Sequence, residues 1–331
     1  MVQFYNVSYD MDSPFRVYGS VQDHGSFRGI VDLSQGRDSI PAVEFERAPG
    51  GEASTHAIDP ANPQVVYSAG FFGRITRTDY GKSGNERQKS IFPVQAENEP
   101  YLRGQWLAPI LMSPHDPQTI YLGLQYLFRS RNCGDDWQRI SPDLTRDLEV
   151  ERGEVPFQTI FAISESPLVA DLVYAGTDDG RVHVTRDGGE NWREIVKGLA
   201  PDRWISRITA SAFKEGTVYL TQNGKRDEDF RPYVWKSNDF GASWQDISAN
   251  LPLGPVNVIR EDPGNENILY LGTDLAVYIS TDAGASWQVL GGNLPVSYVH
   301  DLVIHPRDKI IVIATHGRGM WVMDALQINL E

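Results

Sequence analysis

Cysteine is almost absent: among 331 residues only Cys133 carries a thiol, which excludes an internal disulfide framework and a multi-thiolate metal site. No stretch approaches the roughly 20 apolar residues that a membrane-spanning helix needs, so membrane insertion is not expected. The start, Met1-Val2-Gln3-Phe4-Tyr5-Asn6, has no basic segment leading into an apolar one and does not read as a signal peptide. On that reading the chain is cytoplasmic, or secreted or periplasmic if it is part of a longer precursor. Basic charge is in deficit. Thirty Lys and Arg against 44 Asp and Glu leave a net charge of −14, a field that repels phosphate backbones and acidic lipid, so nucleic acid is not an expected partner. Long amphipathic helical patterns are missing as well.

What is plentiful is punctuation. Thirty Gly and 20 Pro are spread along the chain between short runs rich in Val, Ile, Tyr, Phe and Trp, as in all-β proteins. One phrase recurs at about 40 to 50 residues, the spacing of propeller blades. It runs from an alternating apolar stretch through a Pro-containing turn to Val/Ile-Tyr-x-Gly, a second alternating stretch and Ser/Thr-x-Asp-x-Gly-x-x-Trp. The clearest copies are Phe157 to Ile195 and Val256 to Leu290, followed by Leu107 to Ile140 and Ile205 to Ile247. Weaker ones lie at Val2 to Phe45, Ala53 to Phe92 and Val299 to Asp324. Seven units of four short antiparallel strands predict an all-β chain forming a single seven-bladed β-propeller over 1–331. Each blade has two apolar faces that only its neighbours can cover. The expected blades are 2–50, 51–95, 105–145, 155–198, 203–250, 255–292 and 297–331. Closure is expected either from the tail, Leu326 to Leu330, as outer strand of the seventh blade, or from a preceding segment.

The terminal element occurs four times, ending in Trp137, Trp192, Trp244 and Trp287, with Asn132 replacing the aspartate once. It resembles the Asp-box, or bacterial neuraminidase repeat. Hydroxyl and carboxylate can hold turn amides, Gly permits positive φ and Trp packs between blades, so the element reads as a structural staple. No catalysis is assigned to Asp187, Asp239 or Asp282. Together with Ser113-Pro114-His115-Asp116-Pro117, Ile140-Ser141-Pro142-Asp143-Leu144-Thr145, Arg260-Glu261-Asp262-Pro263 and Ala314-Thr315-His316-Gly317-Arg318-Gly319-Met320-Trp321, it gives the chain a wider resemblance. It resembles bacterial repeat proteins labelled glycosyl hydrolase or sortilin N-terminal domain-like, and it is similar to the C-terminal propeller of two-propeller xyloglucanases. Gly319-Met320 departs from that pattern, where a small polar residue and an aromatic are usual, and a second propeller's worth of sequence is absent.

In a blade of strands A to D, antiparallel order places A–B and C–D turns on one face and B–C and D–A connections on the other. The Pro turns and Trp-bearing turns crowd the first face, which leaves the second for ligand. Candidate ligand residues on its B–C turns are Asp23, His24, Phe71, Phe72, Gln125, Tyr126, Asp178, Asp179, Gln222, Asn223, Asp274, His316 and Arg318. The D–A connections add Trp106, Trp204, Asn257 and His300. Carboxylates, imidazoles, a guanidinium and aromatics are the mixture that a sugar site uses, although Asp and Gly are also ordinary turn formers.

The leading expectation is therefore a recognition module for carbohydrate or peptide. One alternative is a glycoside hydrolase-like domain. Hydrolysis needs two carboxyl groups about 5 to 10 Å apart, and the resemblance implies that such a pair is split between two propellers, so a second propeller domain or subunit would be a further partner. Another alternative is an assembly scaffold. No cofactor or metal is expected: Gly81-Lys82-Ser83 lacks the upstream glycine of a phosphate loop, and the seven histidines show no metal-ligand spacing. Sialidase chemistry lacks its arginine motif. Cys133 reads as a small packed turn residue, and the polar segment Asn223 to Asp229 as a loop that could lid the ligand face.

Overall fold

The computed structural model describes residues 2–95, 97–148, 157–291 and 293–327. Within them seven antiparallel sheets follow one another along the chain, six of four strands and the last of three. Inner strands pack in succession around a ring, with Tyr298–His305 of the last blade against Ser8–Tyr9 of the first. The protein is a seven-bladed β-propeller. In the fourth blade strands A to D are Ile160–Glu165, Val173–Thr177, Val182–Thr185 and Arg193–Glu194. Pro167 lies in the A–B turn and Asp187 to Trp192 in the C–D turn, so the two turn types share one face as expected.

The Val/Ile-Tyr-x-Gly phrase is a B strand sandwiched between blades, which is why it is apolar at every position rather than alternating. Tyr121, Tyr174 and Tyr270 are fully buried there. The glycine is required by proximity. A Cβ on Gly176 would lie 2.4 Å from Cγ2 of Ile205 in the following blade.

Each Trp-bearing turn works as a staple between blades. In the fourth blade, Thr185 Oγ1 donates to Asp187 Oδ1 at 2.8 Å and accepts from Gly189 N at 2.9 Å, while Asn191 N donates to Asp187 Oδ1 at 2.9 Å. The turn places two residues in succession at positive φ, Gly188 at 71° and Gly189 at 98°. Trp192 Nε1 then donates to the carbonyl of Ile140, the residue that follows the D strand of the preceding blade, at 2.7 Å.

The seventh blade has no such turn, and the ring closes differently there. Tail residues 328–330 lie outside the described residues, and Leu326 falls in the 3-10 turn Ala325–Gln327. Among the described residues the N-terminal segment stitches the ends together. Phe4 N donates to Thr315 O at 3.1 Å and Gly317 N to Val2 O at 3.0 Å on the last blade. Tyr5 N donates to Ser20 O at 3.0 Å and Gln22 N to Gln3 O at 3.2 Å on the first. Arg37 adds a tie across the seam, donating to Asp324 Oδ1 at 2.7 Å and to Asp308 O at 2.7 Å.

Candidate functional site at the mouth of the central channel

Four inner strands break register at the same place. Pairing with strand B shifts between Ile160 and Ala162, Ile205 and Arg207, Val256 and Val258, and Val299 and Asp301. The extra residues are Phe161, Ser206, Asn257 and His300. A β-bulge bends the strand locally and re-aims a side chain, and all four side chains line one bowl of about 440 Å³ on the B–C face. Trp106, Trp204, Tyr5 and Tyr298 add aromatic walls, and Gln105, Asn223, Lys225, Arg226 and Arg207 add polar groups.

The rings are locked together. Phe161 meets Trp204 edge-on at 4.7 Å, Phe71 packs on Trp106 at 4.3 Å, and Tyr298 contacts His300 at 4.4 Å. Arg226 lies 3.9 Å over the Trp204 ring and Lys225 4.6 Å over Tyr298. The polar segment at Lys225–Asp227 thus folds over the bowl's rim. Asn257 is the hub of the amide side: it accepts from Asn223 Nδ2 at 2.8 Å and donates to Asp274 Oδ1 and Val299 O, each at 3.0 Å. Lys225 Nζ completes the network by donating to Asp274 Oδ2 at 2.7 Å.

A second cavity of about 540 Å³ opens on the other face and shares Tyr5, Leu107, Phe161 and Arg207 with the bowl. The axis of the ring is therefore hollow, with Arg207 at the waist. Asp301 Oδ1 accepts from Arg207 at 2.8 Å and from Arg260 at 3.0 Å. Burial draws Arg207 down to about 10 against the pull of Asp301, which leaves it cationic at neutral pH. Burial also drops His300 to about 3, with His316 adding to the effect, so its imidazole is neutral.

The remaining residues expected at the site divide into three groups. Asp23, His24 and His316 line a separate cleft of about 610 Å³ over the ring seam. His316 links it to the bowl, its ring stacked 5.6 Å from that of His300. Gln125, Gln222, Asp178 and Asp179 are buried and turned into the protein. Gln125 accepts from Arg103 N and donates to Tyr101 O, both at 2.8 Å. Gln222 likewise donates to Ala200 O at 2.8 Å. Asp178 accepts from Thr159 N at 2.9 Å and from Gln105 Nε2 at 2.5 Å, and burial raises its carboxyl to about 6. Asp179 accepts from Arg146 N at 2.8 Å and from the Thr177 hydroxyl. These four hold the loops on that face. Tyr126 packs under Arg139 at 4.8 Å, Phe72 supports Trp106 edge-on at 6.1 Å, and Arg318 is exposed at the seam turn. Asp23, His316, Arg318 and Asp178 therefore do not converge on one ligand position.

Tyr5, Gln105, Phe161, Arg207 and Tyr298 were not anticipated. Phe161 and Arg207 flank or occupy bulges, and only the recurrence of apolar residues at Ile160, Ile205, Val256 and Val299 marks the position in sequence. An open groove of about 670 Å³ also lies among the Trp-bearing turns, where Arg129 and Arg131 are paired with Asp171 at 2.7 and 3.1 Å. Among the described residues no group of three or more His, Cys, Asp or Glu side chains is placed to hold a metal ion, and no helix is long and apolar enough to cross a membrane.

No family model and no curated protein sequence matches this chain. Solved structures do. The GH74 xyloglucanase of Xanthomonas campestris superposes with a TM-score of 0.69 at 18% identity, over 98% of this chain and 52% of that one. The GH74 enzyme of Niastella koreensis gives 0.63 at 15%, over 99% and 53%. YCF48, solved bound to D1 peptide, gives 0.61 at 12%, over 97% and 92%. The chain spans about half the length of the two GH74 enzymes and nearly all of YCF48, and at these identities what is shared is the propeller fold.

Proposed function

We propose that the chain is a ligand-recognition propeller that binds carbohydrate or peptide over the channel mouth, on the face opposite the Trp-bearing turns. The observation that carries this reading is the bowl into which four bulged inner-strand residues and two tryptophans project. Aromatic faces offer stacking and amides offer directed hydrogen bonds, the usual division of labour in a recognition site. Phe161, Ser206, Asn257 and His300 sit on strands rather than on loop tips, so the site is organised before a ligand arrives.

A second reading, a glycoside hydrolase-like domain that completes its carboxylate pair with another propeller, draws on the likeness to the xyloglucanase. No carboxylate lines the bowl among the described residues, so acid–base hydrolysis there would need acids from outside this chain's bowl. The test is to present the isolated chain to glycan and peptide arrays and to chromogenic glycosides, with Trp106→Ala and Phe161→Ala as variants. Saturable binding lost in both variants, without glycoside turnover, is expected. Turnover by the isolated chain would favour the hydrolase, and binding unaffected by either variant would overturn the assignment of the bowl.

A further inference from the structure

Three buried nitrogen atoms on the bowl's side chains have no hydrogen-bond partner among the described residues: Trp204 Nε1, Arg207 Nε and His300 Nε2. Indole and guanidinium N–H groups are donors in every accessible protonation state. Native proteins leave few such groups unpaired, because stripping a donor of water without replacing its acceptor is costly. Trp204 Nε1 and Arg207 Nε on one cavity mark a place where oxygen acceptors are to be supplied from outside, while the neutral His300 ring can offer its nitrogen as donor or acceptor.

The charge of the lining points the same way. Its ionic side chains are Arg207, Lys225 and Arg226, with no carboxylate among the described lining residues; just behind them Asp274 pairs with Lys225 at 2.7 Å, and Asp178 and Asp227 lie near Arg226. Behind the lining, Arg207 and Arg260 share the single carboxylate of Asp301, which leaves one positive charge in excess at the waist. That excess is a local construction in a chain whose net charge is −14, and at physiological salt, where fields fade over about 8 Å, a group reaching the waist is governed by it more than by the distant surface.

Several acceptors at the wall are already engaged. Asn257 Oδ1 takes Asn223, Asp274 takes Asn257 and Lys225, and Gln105 Oε1 takes Trp106 N at 2.7 Å. An extended peptide would bring one N–H per residue, more than the remaining acceptors, such as the Gln22 amide and the neutral His300 ring, can receive. A pyranose hydroxyl can rotate to accept, and its ring face suits an indole.

We propose, building on the recognition reading above, that the bowl takes an acidic saccharide, with a uronate carboxylate received by the unpartnered donors of Arg207 and Trp204 and sugar rings laid against the aromatic walls. Charge-assisted bonds of this kind are the stronger class. The ligand's carboxylate, rather than its hydroxyls, then sets selectivity.

The test is calorimetric titration of the 331-residue chain at 0.15 M salt with trigalacturonate, a hyaluronan tetrasaccharide and a heparosan tetrasaccharide. Each is set beside its carboxyl-reduced counterpart, which keeps the ring and loses the charge. At least one acid form is expected to bind about tenfold or more tighter than its reduced form. Trp204→Phe keeps the ring beneath Arg226 and removes the N–H, and Arg207→Lys keeps a cation for Asp301 and removes Nε–H. Each is expected to bring the acid form toward the reduced one. Equal affinity for acid and reduced forms overturns the inference and leaves the recognition site standing, as does binding of peptides alone. Binding of neither saccharide nor peptide sinks both. Should a variant fail to fold, the acid-against-reduced comparison on the unaltered chain decides.

Discussion

Trp287 Nε1 donates to the carbonyl of Ile247 at 2.7 Å, joining the C–D turn of the sixth blade to the end of the fifth. The same bond recurs from Trp244 to Ile195 at 2.7 Å, from Trp192 to Ile140 at 2.7 Å and from Trp137 to Ile91 at 2.5 Å. The turn glycine leans on the same isoleucine: a Cβ on Gly284, at φ 94°, would lie 2.8 Å from Ile247 Cδ1. Trp287→Phe is expected to lower unfolding free energy by about 1 kcal/mol through the lost bond, and Trp287→Ala by about 3–5 kcal/mol through the added cavity. Urea titration of both variants reads this directly. A Trp287→Phe variant as stable as the parent would mean that the indole N–H contributes nothing to the staple.

At the channel waist, Asp301→Asn removes the one carboxylate held by two guanidinium groups while keeping its shape. Arg207 and Arg260 are then left facing each other with partial burial. A loss of about 3 kcal/mol is expected, from the penalty of stranded charge. The Arg207→Met, Asp301→Leu double variant, which removes both members of one pair, should recover part of it. A double variant less stable than Asp301→Asn would argue against electrostatic stranding.

Across the seam, Arg37→Met strands the Asp324 carboxylate, whose side chain is only 3% exposed while that of Arg37 is 35% exposed. The expected cost is about 1–3 kcal/mol, reduced by Arg37's contact with water. Hydrogen exchange should speed most in Ile310–His316 and Arg16–Val21, the strands on either side of the seam. Exchange that quickens evenly around the ring would show that the seam is no weaker than other blade junctions.

Acidification tests the buried imidazoles. Burial lowers His56 to about 4, His183 to about 4 and His300 to about 3. In the unfolded chain each titrates near 6.5. As pH falls through that value the unfolded state binds protons that the folded state refuses, so stability present above it is lost. Asp178, raised to about 6, acts in the opposite sense: its folded form holds a proton that the unfolded chain has released, so its contribution is present at low pH and fades as pH rises toward 6. His305, also lowered by burial, joins the three histidines, and Glu261, raised by burial, joins Asp178, so among the described residues four groups oppose two. The urea midpoint is expected to fall between pH 7 and pH 5, and His56→Gln to flatten that slope; a midpoint that rises on acidification would contradict the balance.

Blade architecture was readable in the sequence because Val/Ile-Tyr-x-Gly and the Trp-bearing turn are each forced by packing against a neighbour. Tyr174 needs two covering blades, and Gly176 needs to be bare because Ile205 arrives there. The part of the closure seen among the described residues was not readable, since residues 2–5 pair across the whole chain length through a few main-chain bonds that leave no side-chain pattern. The candidate site was legible in part. Trp106, Trp204, Asn257 and His300 follow from their place at the start of inner strands. Gln125, Asp178 and Asp179 occupy the expected turns, whereas Gln222 and Asn223 lie within the strand Val218–Gly224 because the turn of that blade comes later, at Lys225–Asp227; a backbone amide or carbonyl in a neighbouring loop captured the side chains of Gln125, Gln222, Asp178 and Asp179. Phe161 and Arg207 were hidden because a bulge changes which face a residue presents, and alternation along a strand carries no mark of the extra residue.

The bulges also divide the rim by tolerance to change. Ser206 Oγ donates to Val256 O at 2.8 Å and Asn257 Nδ2 to Val299 O at 3.0 Å, so each clasps the next blade as well as facing the bowl. Phe161 and His300 have no such clasp to a neighbouring main chain among the described residues. A lineage or an engineer seeking a new ligand preference would therefore find latitude at those two sites, whereas rewriting Ser206 or Asn257 would loosen the hoop that keeps the vessel round.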